Sequence, residues 1–485
     1  MSARRRHTWA WLVAVIVAAK SACAFDVLHA EQHISATAAG EMLPSINGCP
    51  VGAPSRPLHL SEAVERALCG NPKTREAWAD VKAQASAVGV ARAAYLPVVS
   101  VNWQGVRENS VVDIKNQPML GSAYTATVGS ASLSLNWLLF DFGGREATLR
   151  NANALLEAAR ATQNATLLAT FAAVAKDYYA AQAAMGALVA TREIERMTRD
   201  SMTAAQTRVD RGIAPVTDAL QAQTQHGQAV FALAKAEGEA QTALGAVAVD
   251  MDLRPDVLLD VPAVTEGGMP AKTFSETVAQ LIDAVSHTHP AVKAAQAQYE
   301  AALAKVSQTR AQGLPSINLV AQDSRNNQPE STGLGLPTYP ATGHEVYIGV
   351  QLTIPLFEGF SRHYQINQAQ AQAERQQDVL EETRQRVAFD VWSSWHALTT
   401  ATQNLTNSVN LLGIARHAYD AARHRYDTGV GHILELLNTQ AALANAQQQR
   451  IQALADWDNA RIDLASKLGR LDMRAVADDL PRESE

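Results

Sequence analysis

Two stretches of 67 residues, each without proline and with a single glycine, restrict the fold of this chain more than any other feature. They cover residues 145–211, with Gly186, and residues 362–428, with Gly413. Because proline and glycine are the residues that most disfavour a helix, each stretch predicts one unbroken helix. At 1.5 Å per residue such a helix is about 100 Å long. Helices in compact globular domains are much shorter, so the sequence predicts an elongated helical architecture.

The chain also contains an internal repeat with an offset close to 217 residues. The sequence LFDFGGR at 139–145 recurs as LFEGFSR at 356–362, and RVDRG at 208–212 recurs as RYDTG at 425–429. Three shorter matches recur at offsets of 214 to 218: Leu60-Ser61-Glu62 as Phe274-Ser275-Glu276, Asn71-Pro72 as His289-Pro290, and Leu96-Pro97 as Leu314-Pro315. Five matches at so constant an offset divide the chain into two repeats, at residues 60–255 and 274–470.

Each repeat has the same predicted order of elements. A helix of about 35 residues ends at Leu-Pro, two strands follow, then the long helix, a glycine break and a helix of about 40 residues. Apolar residues at spacings of four and three give each long helix a stripe typical of knobs-into-holes packing. The stripes are Leu167, Phe171, Val174, Tyr178, Ala181, Met185 and Leu188 in the first repeat, and Val391, Trp395, Leu398, Thr402, Leu405, Val409 and Leu412 in the second.

Four segments alternate between apolar and small polar residues with the period of a strand. Their apolar positions are Val99, Val101 and Trp103; Leu133, Leu135, Trp137 and Leu139; Ile317, Leu319 and Ala321; and Val346, Ile348, Val350, Leu352 and Ile354. Each segment is about 10 residues long, which suits a tilted strand that crosses a bilayer. A half-buried sheet in a soluble domain gives the same alternation. The sequence offers no other segment to cover so small a sheet, and this favours a membrane barrel with a wet lumen.

Four strands cannot close a barrel, and an open edge in hydrocarbon leaves backbone groups without hydrogen bonds. Three copies of the chain supply twelve strands, enough to surround a lumen. The sequence therefore predicts an α+β membrane protein. In this fold a trimeric twelve-stranded β-barrel with four strands per chain is continued by a long α-helical barrel, and the chain has an internal two-fold repeat.

The first 24 residues predict an export signal. A basic segment, Arg4–Arg6, precedes an apolar stretch of eleven residues and the small residues Ala22-Cys23-Ala24. A retained anchor is the alternative, although the stretch is too short for a transmembrane helix. Lys20 argues against lipidation of Cys23. We also expect an N-terminal tail at 25–59, a linker at 256–273 and a C-terminal tail at 471–485.

The remaining cysteines and the net charge restrict partners and location. An exported chain permits a disulfide between Cys49 and Cys69, but the sequence does not show whether the two come close enough. The net charge of −7 provides no basis for nucleic-acid binding.

These motifs resemble those of the TolC-like outer-membrane efflux and secretion proteins. The similarity extends from about Leu60 to Gly469 and includes Leu139-Phe140-Asp141, Leu356-Phe357-Glu358 and the segments that begin at Arg208 and Arg425. More narrowly, the chain resembles outer-membrane components that export cyclolysin-type toxins. The resemblance implies a homotrimer in the outer membrane of a Gram-negative bacterium that extends into the periplasm. It also implies a periplasmic adaptor, an inner-membrane ABC transporter and an exported polypeptide as partners, with lipid around the barrel.

The resemblance also implies roles for residues at the two glycine breaks. The residues expected to dock the adaptor are Arg208, Gly212, Ile213, Arg425, Gly429 and Val430. Those expected to gate the pore and select ions are Thr217, Asp218, Tyr426, Glu435 and Asn438. Two departures weaken this assignment, because the arginine that the family places in the gate falls on Gly431, and Asn438 replaces one of two acidic rings. Three Glu435 carboxylates around a narrow pore are still expected to attract cations.

Motifs of enzymes are incomplete in this sequence. Asp141-Phe142-Gly143 matches a kinase triplet without the other kinase motifs. His287 and His289 lack a third metal ligand at useful spacing, and no phosphate-binding P-loop is present. The sequence therefore predicts a passive channel without cofactor, metal or catalytic residues. The alternatives are a drug or metabolite efflux channel and a periplasmic coiled-coil scaffold without a pore.

Overall fold

The computed structural model describes residues 26–32, 34–40, 42–43, 49–50, 52–263, 277–331, 333 and 336–471. The predicted export signal at 1–24, part of the linker and almost all of the C-terminal tail lie outside these ranges. The described residues form eight α-helices and four β-strands. In chain order they are α1 Leu60–Gly70, α2 Pro72–Ala93, β1 Val98–Val112, β2 Ser122–Phe140, α3 Gly144–Asp210, α4 Val216–Asp250, α5 Val278–Thr288, α6 Pro290–Ala311, β3 Ser316–Asn326, β4 Gly343–Thr353, α7 Ser361–Asp427 and α8 Ile433–Lys467.

The order of elements in the second repeat copies that of the first. Two helices, two strands, a long helix and a shorter helix follow one another in both. The long helices α3 and α7 each have 67 residues, and α4 and α8 each have 35. The predicted unbroken long helices are therefore confirmed, and each begins within one residue of the arginine that ends the LFDFGGR or LFEGFSR motif.

The first helix predicted in each repeat is in fact two helices. The break falls at Asn71-Pro72 in the first repeat and at His289-Pro290 in the second. Proline has no N–H to donate and forces the preceding residue into an extended conformation. Asn71 and His289 accordingly have ψ angles of 131° and 133°. The pattern of apolar residues continues across the break, which is why it predicted one helix.

A sharp corner joins the second strand of each pair to the long helix. Two consecutive residues with positive φ make this turn, Phe142-Gly143 in one repeat and Gly359-Phe360 in the other. An arginine in the first helical turn then holds it, because Arg145 donates to the carbonyls of Leu138 and Leu139 at 2.6 and 3.0 Å. At the equivalent corner Arg362 donates to both Glu358 carboxylate oxygens at 2.9 and 3.0 Å.

The four strands form one antiparallel sheet in the order β1-β2-β3-β4. The register places the predicted apolar residues beside one another, so that Val99, Leu135, Ala321 and Ile348 form one row across all four strands. The next row on the opposite face is polar, with Ser100, Ser134, Gln322 and Tyr347. The predicted two-faced sheet is confirmed, and large apolar side chains on one face are exposed in the single chain, Ile348 by 74%.

Strands β1 and β2 are longer than the predicted length. They contain 15 and 19 residues, whereas β3 and β4 contain 11 each. The additional pairs combine polar residues, such as Arg107 with Thr127 and Asn109 with Thr125, with apolar ones, such as Val106 with Val128. Apolar and polar residues no longer alternate regularly there, so the sequence pattern did not predict this part of the hairpin.

The packing stripe of α3 agrees with the prediction, and that of α7 agrees only in part. Six of the seven predicted α3 residues are buried, and Met185 is partly buried. On α7, Val391 and Leu405 are buried, but Val409 is 39% exposed. The buried stripe contains Ser394, Ala401 and Ser408 instead. Each of these lies one residue before a residue of the predicted stripe, namely Trp395, Thr402 and Val409. Small side chains let neighbouring helices approach closely, and a search for large apolar residues overlooks them.

The chain divides into two compact units. One contains all four strands and the adjoining helical turns within Lys82–Leu156 and Ala297–Gln377. The other contains Ser35–Val81, Glu157–Gln296 and the residues from Asp378 onward, and its core includes Leu58, Leu68, Phe171, Val174 and Val247. Within the described residues no helix is long and apolar enough to cross a membrane.

The segment before α1 is packed onto the second unit. Tyr178 donates from its hydroxyl to the Leu58 carbonyl at 2.9 Å, and Gln163 donates to the Ala38 carbonyl at 3.2 Å. A disulfide joins Cys49 to Cys69 in α1, with 5.8 Å between the Cα atoms. This pairing resolves the question that the sequence left open, and it fixes the segment to the first helix of the repeat.

Two carboxyl groups face each other where α4 ends beside α3. Burial, reinforced by the nearby Asp177, raises the pKa of Asp250 from 3.8 to about 6. The second repeat has Lys467 at the position equivalent to Asp250, and there Lys467 pairs with Asp390 at 3.1 Å. The two repeats thus fasten the end of the shorter helix to the long helix by different chemistry.

Asp250→Asn is expected to stabilise the protein at neutral pH and to have little effect near pH 4. Asp250 keeps its proton up to about pH 6 in the folded state but only up to about pH 3.8 in the unfolded state. Between these values a rise in pH therefore lowers the contribution of Asp250 to the free energy of unfolding. The midpoint of thermal unfolding should rise by about 2 °C or more at pH 7.5. Asp256→Asn, which breaks only an exposed pair with Arg254, is the control. An equal gain for Asp250→Asn at pH 4 and pH 7.5 contradicts the assignment.

Candidate functional site

Both glycine breaks are tight turns that reverse the chain between two helices. Gly212 follows α3 with φ of 69°, and Gly429 follows α7 with φ of 82°. The residue after each glycine donates its N–H to a carbonyl five residues back, Ile213 to Arg208 at 2.9 Å and Val430 to Arg425 at 3.0 Å. These bonds define Schellman motifs, in which glycine tolerates the left-handed conformation that other residues avoid. We call residues 208–218 and 425–438 the tips.

The helices that leave the tips begin with residues that suit a helix start. Pro215 is the cap residue that precedes the first turn of α4. Asp218 and Glu435 lie in the first turns of α4 and α8. Negative charge is favourable there, because the N–H groups at a helix start carry partial positive charge.

Apolar side chains at the tips point into solvent in the single chain. Ile213 is 72% exposed and Val430 is 69% exposed. Val216 and Leu434, in the first turns of the following helices, are also exposed. Contiguous exposed apolar patches mark contact sites for other proteins, whereas apolar residues that are exposed singly need no such explanation. The docking role predicted for Ile213 and Val430 is compatible with this exposure and stays a prediction.

One contact joins the two tips of the chain. The Arg208 guanidinium lies 4.0 Å from the centre of the Tyr426 ring and also donates to the Tyr426 carbonyl oxygen. Tyr426 is almost fully buried, among Ala205, Ala222 and Ile433. A cation over an aromatic ring is attracted by the negative face of the ring. The sequence assigned Arg208 to docking and Tyr426 to the gate, and the structure places them in direct contact.

The electrostatic surroundings of Tyr426 link it to the predicted gate residue Asp218. Burial raises the pKa of the Tyr426 hydroxyl, Arg208 opposes this rise, and the Asp218 carboxylate adds to it. Asp218 is thus one of the charged groups that influence the Tyr426 hydroxyl. Thr217, the third residue predicted for this contact, is exposed.

Glu435 pairs with Arg425 across the second tip. The distance between Arg425 Nη1 and Glu435 Oε1 is 3.4 Å, and both side chains are partly exposed. Asn438 lies three residues after Glu435, on the same side of α8, and is exposed. The sequence predicted that Glu435 attracts cations and that Arg425 docks the adaptor. It did not predict the pair, because a turn of five residues separates the two helices.

Gly431 lies so close to the preceding helix that a side chain has no space there. A Cβ atom at Gly431 would come within 2.8 Å of the Tyr426 backbone nitrogen and 2.9 Å of the Arg425 carbonyl carbon. Since both are backbone atoms, the turn itself would have to shift. An arginine, which the family places at this position, is therefore incompatible with the conformation of this turn.

The polar face of the sheet is the second candidate site, because it is the face that lines a lumen in the predicted barrel. Most of its rows carry hydroxyl and amide groups, including Asn102, Ser132, Asn318, Gln351 and Thr353. Neighbouring groups bond to one another, as in Ser100 Oγ to Ser134 Oγ at 2.7 Å and Tyr347 Oη to Gln322 Oε1 at 3.1 Å. Charged residues enter this face only near the far end of the strands, with Glu345 and Glu108.

Known proteins resemble the chain along both repeats. The model of a family described as outer membrane efflux protein matches residues 63–249 and 281–470. The chain belongs to this family. Its place in the outer membrane follows, and the TolC-like resemblance predicted from the sequence motifs is confirmed.

Individual relatives agree in length as well as in sequence. Protein CyaE of Bordetella pertussis is 31% identical over 428 residues, which cover 88% of this chain and 87% of the relative. Alkaline protease secretion protein AprF of Pseudomonas aeruginosa is 25% identical and is covered to 85%. Among solved structures, the Campylobacter jejuni outer membrane channel CmeC superposes with a TM-score of 0.74 at 15% identity, covering 89% of this chain and 92% of that one.

The predicted fold is confirmed by the family and by these channels. Each chain contributes four strands to a twelve-stranded barrel in a trimer, and long helices continue the barrel into the periplasm. The apolar face of the sheet then contacts lipid, and the polar face lines the lumen. An 11-residue strand rises about 36 Å. Tilted by roughly 40°, it crosses about 28 Å, close to the thickness of the hydrocarbon core.

Arginine at two neighbouring positions of β2 distinguishes the two faces. Leu135→Arg places a charge against lipid, which costs about 2–4 kcal/mol near the middle of the bilayer. Ser134→Arg places the same charge in water. We expect Leu135→Arg to reduce the amount of heat-resistant trimer in outer membranes several-fold and Ser134→Arg to leave it near the native amount, as judged by gel electrophoresis without boiling. Equal trimer yields for the two variants contradict the assigned faces.

Proposed function

We propose that this channel is the outer-membrane component of a type I secretion system and conducts an exported polypeptide, of the cyclolysin type, to the cell exterior. The observation that carries the proposal is the 31% identity to Protein CyaE along almost the whole of both chains. It agrees with the narrower resemblance of the sequence motifs to toxin exporters. A relative named for the secretion of alkaline protease adds support for a protein as cargo.

The lining of the barrel suits an unfolded polypeptide. Serine, asparagine, glutamine and threonine side chains offer neither a large apolar surface nor a fixed charge for most of the height of the sheet. A chain that carries many kinds of side chain can slide along such a wall without strong adhesion at any one place. Conduction needs only this passive wall, so the energy for export is supplied by a partner.

The tips are the surfaces proposed to meet those partners. Ile213 and Val430 offer exposed apolar side chains, and Arg208, Gly212, Arg425 and Gly429 shape the turns that present them. A periplasmic adaptor docks there in this proposal, and an inner-membrane ABC transporter delivers the polypeptide. Thr217, Asp218, Tyr426, Glu435 and Asn438 are proposed to control opening and ion passage at the same end.

Efflux of drugs or metabolites is the second candidate. It is favoured by the description of the family as outer membrane efflux proteins. In this proposal the same passive trimer is compatible with both functions. The two functions therefore differ in what a cell loses without the channel.

Deletion of the gene from its native host separates the two candidates. We expect at least one abundant secreted polypeptide to disappear from the culture medium, while the inhibitory concentrations of a panel of antibiotics, dyes and detergents change less than twofold. Complementation with the native gene should restore secretion. An unchanged set of secreted proteins together with a general rise in drug sensitivity overturns secretion in favour of efflux.

A further inference from the structure

We propose that Arg425 cancels the charge of Glu435 at the periplasmic entrance, so that the entrance does not select cations and admits an acidic polypeptide. This inference rests on the proposed function, because it assigns the chemical class of the cargo that passes the same tips. It also revises the expectation that three Glu435 carboxylates form a cation-attracting ring.

Each residue of the pair lies at a helix end that favours its charge. Arg425 lies in the last turn of α7 and Glu435 in the first turn of α8. A cation is favoured at a helix C-terminus and an anion at an N-terminus, so each residue is stabilised where it stands without the other. The turn between them then brings Nη1 and Oε1 to 3.4 Å. The three chains of one channel contain three such pairs, and each pair compensates one carboxylate.

The geometry of the turn makes Arg425 the cation that pairs with the Glu435 carboxylate. Residue 431 cannot carry a side chain, because a Cβ atom there would meet the backbone of Arg425 and Tyr426. The other nearby arginine, Arg208, is committed to the Tyr426 ring and carbonyl. Arg425 is thus the tip residue placed to neutralise Glu435.

The charges of the two tips balance when neighbouring residues are included. Residues 208–218 and 423–438 contain four arginines and four carboxylates, with His424 and His432 in addition. The arginines are Arg208, Arg211, Arg423 and Arg425, and the acids are Asp210, Asp218, Asp427 and Glu435. A trimeric entrance built from these residues has no excess of negative charge to repel an acidic chain.

The polar face of the sheet is also without charge over part of its height. Its rows from Ser316 to Gln322 carry hydroxyl and amide groups together with a few apolar residues, among them Val320. Neither the tips nor this part of the sheet carries an excess of negative charge that would repel an acidic polypeptide.

Channels reconstituted into planar bilayers test the charge of the entrance. We compare the native channel with Arg425→Gln, Glu435→Gln and the double variant, and we add a trivalent lanthanide cation or poly-L-glutamate to the side of the tips. Arg425→Gln should bind the lanthanide at least about five-fold more tightly and admit poly-L-glutamate less often, because three unpaired carboxylates remain. Glu435→Gln should have the opposite effects, and the double variant should return near the native behaviour.

A matched variant shows whether the pair or the total charge is responsible. Arg211→Gln removes the same charge from the other tip, and Arg211 is not the partner of Glu435. We expect it to change lanthanide block less than twofold. Equal effects of Arg211→Gln and Arg425→Gln, or no effect of Arg425→Gln in a conducting trimer, overturn the inference. A native trimer that conducts no ions overturns the proposed function instead, so the two failures are distinguishable.

Discussion

The structure depends on the hydrogen-bonding groups at the two open edges of the sheet. Within the described residues, β1 pairs with β2 alone and β4 with β3 alone, so each strand has a row of N–H and C=O groups without a neighbouring strand on its outer side. In hydrocarbon these groups cannot bond to water, and each one costs several kcal/mol. A second and a third copy must supply the missing strands. The barrel, its lumen and the ring of tips all follow from this requirement.

The internal repeat builds a wall from two similar halves, and function arises where the halves differ. The sheet rows, the long helices and the Schellman turns recur almost unchanged. In the first repeat, Ala214 is equivalent to Gly431. Asp218 is equivalent to Glu435, the residue that pairs with Arg425. The first tip instead contributes Arg208, which lies on the ring of Tyr426 in the second tip. The duplicated elements thus form the same fold in both repeats, and differences at single positions give the two tips different contacts.

The sequence predicted features that depend on periodicity and missed those that depend on close approach. Strand faces, the two long helices and the glycine breaks after them follow from patterns of a few residues, and all are present. The helix breaks at Pro72 and Pro290 were missed because the apolar pattern continues through them. The stripe of α7 was displaced because Ser394, Ala401 and Ser408 are small. The pair of Arg425 with Glu435 depends on the geometry of a turn, which no pattern of residues in the sequence indicates.

The number of chains in one conducting particle tests the central claim most directly. Mature protein purified in detergent can be weighed by light scattering with correction for the bound detergent, and the same fraction can be reconstituted into bilayers. Closure by shared strands predicts particles of three chains that insert and conduct. A stable monomer that stays in water and never enters a bilayer would contradict the account.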